Sequence, residues 1–511
     1  MTMSAIMRRD VVDDRLLVGV AIAGLAIVAA LLHFFAPINH DEAYLVTLAG
    51  RLLDDGQFGK DIMDMNPPHV WWISAVPVWL ARQTGLRLDA AASVFTVTMA
   101  VLSVAAVARL TAAAGLGRVP RSLFLVFASL VVLYFPGYDF GQREHWMVLL
   151  TLPYIVARGG RLNNAVIPPT AGAVIGVAAC LGFCIKPYFL LVPVALEVWV
   201  MVRTRRPSLS ICSETITLVT AGVVYAALLL TYARSYLEIE IPTALLGYWS
   251  YKSPMQEVLH QAFILLAPAT MLLGIAYMTR REGARVPALA QALATAGAAS
   301  LLAALIQAKP WSYHFLPGVV FLALSAVALL AAEGPRTDRL TLRRVAFSIV
   351  VVMAVVPTIF EGMRAVEGDP GRINRLTAVF RDNPGPNRTV FGFVTSPRDV
   401  FPAVVGAKME WAAPFCCEYL IAAAARVEEA PVADRSRIKA AGLAQAEMAV
   451  SAVRTREPGV IVIATGDDML GFNHQTFDYV AWLSAHTDFA SVLAYYREIG
   501  PIGSFRVFVR N

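Results

Sequence analysis

Charge is scarce in this chain. Only 16% of its residues are charged, 57% are hydrophobic, and the mean hydropathy is +0.60. A soluble domain carries roughly 25% charged residues, so an ordinary soluble protein is excluded. Lysine is scarcer still, limited to Lys60, Lys186, Lys252, Lys309, Lys408 and Lys439. The five cysteines show no metal-ligand spacing. Cys180 and Cys184 read as packing residues, and Cys416-Cys417 as a buried pair of thiols with a vicinal disulfide as the alternative. No cleavable signal peptide is evident, because no small-residue cleavage site precedes His40-Asp41-Glu42. Residues 362–511 lack a glycine-rich phosphate loop, a nucleophile elbow and a paired-cysteine site.

What the chain has is apolar length. Stretches near the spanning length of about 20 residues recur over the first 360 positions. Eleven are read, at about 15–36, 89–112, 122–138, 145–158, 164–185, 188–202, 215–235, 258–279, 286–307, 313–332 and 344–361. Basic residues orient them. With Arg8, Arg9 and Arg15 cytoplasmic, alternate loops carry Arg118 and Arg121; Arg158 and Arg161; Arg203, Arg205 and Arg206; Arg280, Arg281 and Arg285; Arg336, Arg339, Arg343 and Arg344. The opposite loops are poor in arginine, and all six lysines fall on that outer side. An odd number of spans then places the C-terminal segment outside. The expectation is a polytopic α-helical membrane protein of the bacterial inner membrane. Its membrane domain, 1–361, is followed by an extracytoplasmic α/β domain, 362–511, with strands at Thr389–Thr395, Gly459–Ala464 and Phe505–Arg510. The net charge of +6 is largely inner-loop arginine and calls for no nucleic-acid partner.

The first outer loop, 37–88, is too long and too patterned for a simple connection. After Asn39-His40-Asp41-Glu42-Ala43-Tyr44, leucines at helical spacing predict an amphipathic helix on the membrane surface, ending at Asp54-Asp55-Gly56. A turn-rich stretch carries Lys60, Asp61 and Asp64. Asn66-Pro67-Pro68 then opens a second helix, with Asn66 as its cap and Trp71, Trp72 and Trp79 suited to an interface. Asp41 and Glu42 fall in a first helical turn, where the helix dipole favours a carboxylate. Either they serve the helix start, or Asp41 is a general base that takes a proton from an attacking hydroxyl. Lys60, Asp61, Asp64 and His69 in the same loop favour the second reading.

These residues carry a resemblance. His40-Asp41-Glu42-Ala43-Tyr44, the helix after it and Asp61-x-x-Asp64-x-Asn66-Pro67-Pro68-x-x-x-Trp72 resemble the first outer loop of GT-C glycosyltransferases. The protein O-mannosyltransferase and lipid A aminoarabinose transferase superfamily is the part of that group they are most similar to. The resemblance implies an integral membrane enzyme that takes a sugar from a polyprenyl-phosphate carrier on the outer face, with Asp41 as the catalytic residue. It is specific in the first loop and architectural over about residues 15–360.

Other outer edges are also polar. Asp139-Phe140-Gly141-Gln142-Arg143-Glu144-His145 reads either as a self-satisfied ion-pair loop or as a phosphate site, since guanidinium binds phosphate bidentately. In the second case Arg143 contacts the phosphate and His145 assists. Lys186 either snorkels or meets an anion. The aromatics of Tyr248-Trp249-Ser250-Tyr251 suit an interfacial belt or a sugar-stacking surface. Gln307-Ala308-Lys309-Pro310-Trp311-Ser312-Tyr313-His314 resembles a segment near the lipid-phosphate site of related enzymes. That likeness makes Lys309 and His314 candidate donor-phosphate ligands, and Tyr313 and Lys60 are further candidates.

The expected chemistry is an inverting sugar transfer. Arg143, Lys186 and Lys309 neutralise the leaving phosphate, and Asp41 accepts the proton of an acceptor hydroxyl on a lipid, glycan or protein. Glu42, Asp61, Asp64 and His69 are candidates for orienting the acceptor or ligating a divalent metal, with no ligand set assigned. Two rivals are a transporter or flippase and a non-catalytic component of polysaccharide assembly. A transporter concentrates ionisable residues near the bilayer midplane, whereas here they cluster at loop edges.

Overall fold

The computed structural model describes residues 3–114, 116–280, 285–332, 340–363, 370–467 and 469–511. The inner-loop residues Arg281, Arg336 and Arg339 lie outside these, as do the side chains of Arg8, Arg9 and Arg15. The chain is a multi-pass helical membrane protein that forms two compact units. One comprises Met1–Ala36, Ser93–Tyr225 and Pro254–Arg364; the other comprises Pro37–Ala92, Ala226–Ser253 and Ala365–Asn511.

In chain order the helices begin with α1 (Met3–Phe35), α2 (His40–Ala49), α3 (Pro68–Thr84), α4 (Leu88–Ala113), α5 (Arg118–Tyr134), α6 (Arg143–Arg161) and α7 (Pro169–Phe183). They continue with α8 (Leu191–Thr204), α9 (Ser213–Tyr232), α10 (Ile241–Gly247), α11 (Met255–Met278), α12 (Ala288–Ile306), α13 (Ser312–Ala332) and α14 (Leu340–Met363). Among the described residues, seven helical segments are long and apolar enough to cross a membrane: Leu16–Phe35, Leu88–Ala113, Pro187–Thr204, Ser213–Tyr232, Met255–Met278, Ala288–Ile306 and Ser312–Ala332. The other expected spans, 122–138, 145–158, 164–185 and 344–361, fall on α5, α6, α7 and α14.

Within the first unit, α11, α12 and α13 share a core of Val258, Ala262, Leu266, Ala269, Ala304, Phe315 and Leu322. Small residues let the helices approach: a Cβ on Gly297 would lie 2.9 Å from Leu322 Cγ. Two arginines inside this unit are paired with carboxylates. Arg158 pairs with Glu197 at 2.8 Å and Arg161 with Glu214 at 3.0 Å, while the Tyr154 hydroxyl donates to Glu197 at 2.7 Å. Such pairing is what retains buried ions without a pathway role.

The second unit contains a five-stranded sheet of β1 (Thr389–Phe393), β2 (Glu410–Trp411), β3 (Val460–Ala464), β4 (Tyr496–Ile502) and β5 (Phe505–Arg510). Their spatial order is β2-β1-β3-β5-β4, with β1 parallel to β2 and β3, and β5 antiparallel to β3 and β4. Both β1 and β3 are buried along their whole length, as apolar runs in a covered parallel sheet should be. The remaining helices are α15 (Pro370–Asp382), α16 (Val400–Ala407), α17 (Tyr419–Ala425), α18 (Arg435–Arg456), α19 (Tyr479–His486) and α20 (Phe489–Leu493).

Three local expectations are corrected. The helix α2 is not amphipathic: eight of its ten residues are buried, with α3 and α16 packed against it. Asn66 does not cap α3. Pro67 takes that position, because Asn66 turns its N–H and its side-chain amide back onto Asp64 Oδ1, at 2.7 and 2.5 Å. Cys416 and Cys417 are joined as a vicinal disulfide rather than standing as two thiols.

Candidate active site

The acidic pair at the start of α2 is divided by the helix itself. The side chain of Asn39 accepts the Asp41 N–H at 2.9 Å and so caps the helix. The Asp41 carboxylate is therefore not needed as the cap; its Oδ1 lies 3.7 Å from His40 Nε2, and its side chain is 13% exposed. Glu42 is 4% exposed, and its Oε1 has no hydrogen-bond partner among the described residues. Burial first, and the nearby Asp89 charge second, raise the Glu42 pKa to about 8. One residue of the pair thus stays accessible while the other is a buried acid, protonated at neutral pH.

The loop after α2 belongs to the same unit. Asp64 accepts the Tyr44 hydroxyl at 2.8 Å as well as the two Asn66 donors, and three donors on one carboxylate favour its ionised form. Asp61 serves its own turn, accepting the Gln57 N–H at 2.9 Å. His69 is buried in the first turn of α3. Arg51 binds the carbonyls of Asp61, Ala413 and Trp411, fastening the loop to β2 and the segment after it. Lys60 is exposed on the rim of a groove of about 1220 Å³, lined also by Asp61, Arg82, Glu410, Glu447 and Arg456. Among the described residues no three His, Cys, Asp or Glu side chains converge as a metal site. Asp61 and Asp64 are both engaged by local donors.

The first unit carries a cationic cluster. Lys186 pairs with Glu144, donates to Gln307 Oε1 at 3.4 Å and lies 5.3 Å from the centre of the Tyr313 ring. Lys309 is buried against Trp311, 4.6 Å from the ring centre. Lys186, Lys309 and Arg143 act electrostatically on His314, whose Nδ1 is buried without a hydrogen-bond partner among the described residues. Cationic side chains acting on a buried imidazole form an arrangement able to take an anion. His145 is not part of it. Its Nδ1 accepts the Gly141 N–H at 3.2 Å, its Nε2 meets the Val132 carbonyl at 2.8 Å, and its ring packs on Phe140.

Sequence comparison finds no matching family model and no matching curated protein. Structure comparison does find likeness. ArnT from Cupriavidus metallidurans bound to undecaprenyl phosphate superposes with a TM-score of 0.61 at 12% identity, covering 96% of this chain and 97% of that one. The same protein in its apo state gives 0.61 at 13% identity over the same shares. The chain has the GT-C glycosyltransferase fold. The mycobacterial arabinofuranosyltransferase AftD is a weaker match, with a TM-score of 0.47 at 14% identity, covering 96% of this chain and 41% of that one.

On this GT-C fold several residues beside the candidates had no individual sequence signal. Tyr44 holds Asp64, Glu144 holds Lys186, and Gln307 meets the same ammonium. Glu240 had a weak one. The alternation Leu237-Glu238-Ile239-Glu240-Ile241 puts two carboxyls at the edge of an apolar segment, where they are costly without a partner or a role.

Proposed function

We propose that the protein is a membrane glycosyltransferase. It moves a sugar from a polyprenyl-phosphate carrier to a hydroxyl of an envelope glycan, lipid or protein at the outer face of a bacterial inner membrane. The observation that carries this reading is the division of roles at the start of α2, on a GT-C fold: Asn39 caps, Glu42 is buried, and Asp41 keeps an accessible carboxylate.

The roles follow from charge and accessibility. Arg143, Lys186, Lys309 and His314, with Tyr313 as a wall, bind the phosphate of the lipid donor. Undecaprenyl phosphate, which Cupriavidus ArnT binds, is a carrier of that class. An acceptor hydroxyl oxygen attacks the anomeric carbon, and its proton passes to Asp41. The bond from that carbon to the phosphate oxygen breaks, so the electron pair leaves with the polyprenyl phosphate and the centre inverts. Stabilising the charge on the departing phosphate is commonly the largest catalytic contribution, and the base adds about 10²–10⁴-fold. Residues 1–361 form the catalytic membrane part and 362–511 an extracytoplasmic domain, with the N-terminus cytoplasmic; the arginine-rich alternate loops support that orientation.

The test compares envelope glycolipids, by mass spectrometry, from cells with and without the protein. A mass difference equal to one sugar residue, lost again in Asp41→Asn, is expected and would name sugar and acceptor together. Identical profiles in the two strains would reject the reading.

A further inference from the structure

Between α9 and α10 the backbone winds as a π-helix over Tyr236–Glu240, a form that concentrates at functional sites. This segment rests on the loop that carries Asp64. The Tyr236 hydroxyl donates to the Met65 carbonyl at 3.1 Å. Gly59, at φ +79°, leaves no room for a side chain, since a Cβ there would lie 2.7 Å from Ser235 Cβ. Two stretches far apart in sequence are thereby held in register.

The contact places a second carboxyl near Asp64. Glu240 is 6% exposed, and its Oε1 has no hydrogen-bond partner among the described residues. Natural structures rarely leave a buried carboxyl oxygen unmet by protein, ordered water or a ligand. Burial first, and then the Asp64 charge, raise the Glu240 pKa to about 8. Asp64, supplied with three donors, is favoured as the anion. Two carboxyls whose environments push them apart are the pattern by which one donates a hydrogen bond while the other accepts. Tyr236 and Tyr419 both feel Asp64 and Glu240, and Tyr419 meets Tyr248 edge-on with ring centres 6.1 Å apart. Aromatic rings beside a donor and an acceptor suit a sugar ring, which is apolar on its faces and polar at its rim.

We propose that Glu240 and Asp64 form a hydroxyl-binding couple for the saccharide acceptor, with protonated Glu240 donating to one acceptor oxygen and Asp64 accepting from a neighbouring hydroxyl. This deepens the glycosyltransferase reading and rests on it. Glu240 acts as the neutral acid, so an amide can replace it and a methyl group cannot.

Membranes from cells lacking the protein supply lipid-linked donor and unmodified acceptor. Purified wild type, Glu240→Gln, Glu240→Ala and Asp41→Asn are added to them, and transfer is followed by mass spectrometry as lipid extract from the same cells is titrated in as acceptor. Glu240→Gln is expected within threefold of wild type, and Glu240→Ala to raise the apparent KM for acceptor at least tenfold with kcat little changed. Above pH 8 the wild-type KM should rise while that of Glu240→Gln stays level, a readout that holds even if the alanine variant fails to fold. Wild-type kinetics in Glu240→Ala, or a glutamine variant with a KM raised tenfold or more, would overturn the proposal. Absence of any transfer by wild type would instead reject the glycosyltransferase reading beneath it.

Discussion

Arg51 and Arg82 lie in the same unit and differ in what they hold. Arg51 is half-buried and gives its guanidinium to three backbone carbonyls, of Asp61, Ala413 and Trp411. Arg82 makes a two-bond ion pair with Asp54, 2.7 Å at its shorter contact, with side chains 43% and 62% exposed. Hydrogen bonds to a charged group contribute about 1.5–3 kcal/mol each. Burial of Arg51 opposes them, enough to lower its pKa to about 10. Taking about 1 kcal/mol per bond after that cost, Arg51→Met should destabilise the second unit by about 3 kcal/mol. Methionine keeps an apolar stem, so the loss is mostly that of the donors. For a unit of this size about 2–4 °C is lost per kcal/mol, which predicts a fall in Tm of about 6–12 °C. The exposed pair at Arg82 should contribute under about 1 kcal/mol, so Arg82→Met should lower Tm by less than about 4 °C. Thermal unfolding of the purified full-length protein in detergent, the variants side by side, measures both. Equal shifts, or a larger one at Arg82, would refute a role for Arg51 in fastening the first loop to β2 and the segment after it.

Glu42 predicts a pH dependence. Its folded-state pKa of about 8 lies above the ordinary 4.5, so the unfolded chain releases this proton first as pH rises. Stability from Glu42 is thus fully present below about pH 4.5 and falls until about pH 8, by on the order of 3–5 kcal/mol. Glu42→Gln should flatten that decline, measured as Tm across pH 4.5–9; an unchanged slope would count against a buried neutral acid. Lys309→Met removes one buried cation from the anion cluster. It should weaken binding of undecaprenyl phosphate by about 10–100-fold, the equivalent of a charge-assisted phosphate contact, as read by native mass spectrometry.

Legibility in the sequence tracked the range of the interactions involved. Membrane helices need only apolar length, and each expected span has its helix. The strands β1 and β3 were legible because burial on both faces makes them continuous apolar runs. In contrast, β2 has two residues and β4 is a largely exposed edge strand carrying Arg497 and Glu498, so neither has a sequence pattern. The helix α2 was misjudged because the partner that buries it, α16, lies over 300 residues away. Asn66 looked like a cap by position, but Asp64 two residues before it offered a stronger local acceptor. Within the candidate site, Asp41 drew attention by its place after the first apolar segment, and its side chain is 13% exposed. Glu240 carried only a weak signal, because its pairing with Asp64 joins two different loops. His145 looked functional by composition, yet both its nitrogens are met by the backbone.

In the proposed reaction Asp41 takes the proton of the acceptor hydroxyl. Its most direct test is the rate of sugar transfer by Asp41→Asn in membranes that supply donor and acceptor, with undecaprenyl phosphate binding measured on the same purified variant. A fall of about 10²–10⁴-fold in rate with binding retained is the predicted result. A rate within a few-fold of wild type, in a variant that is folded and binds the lipid, would contradict it.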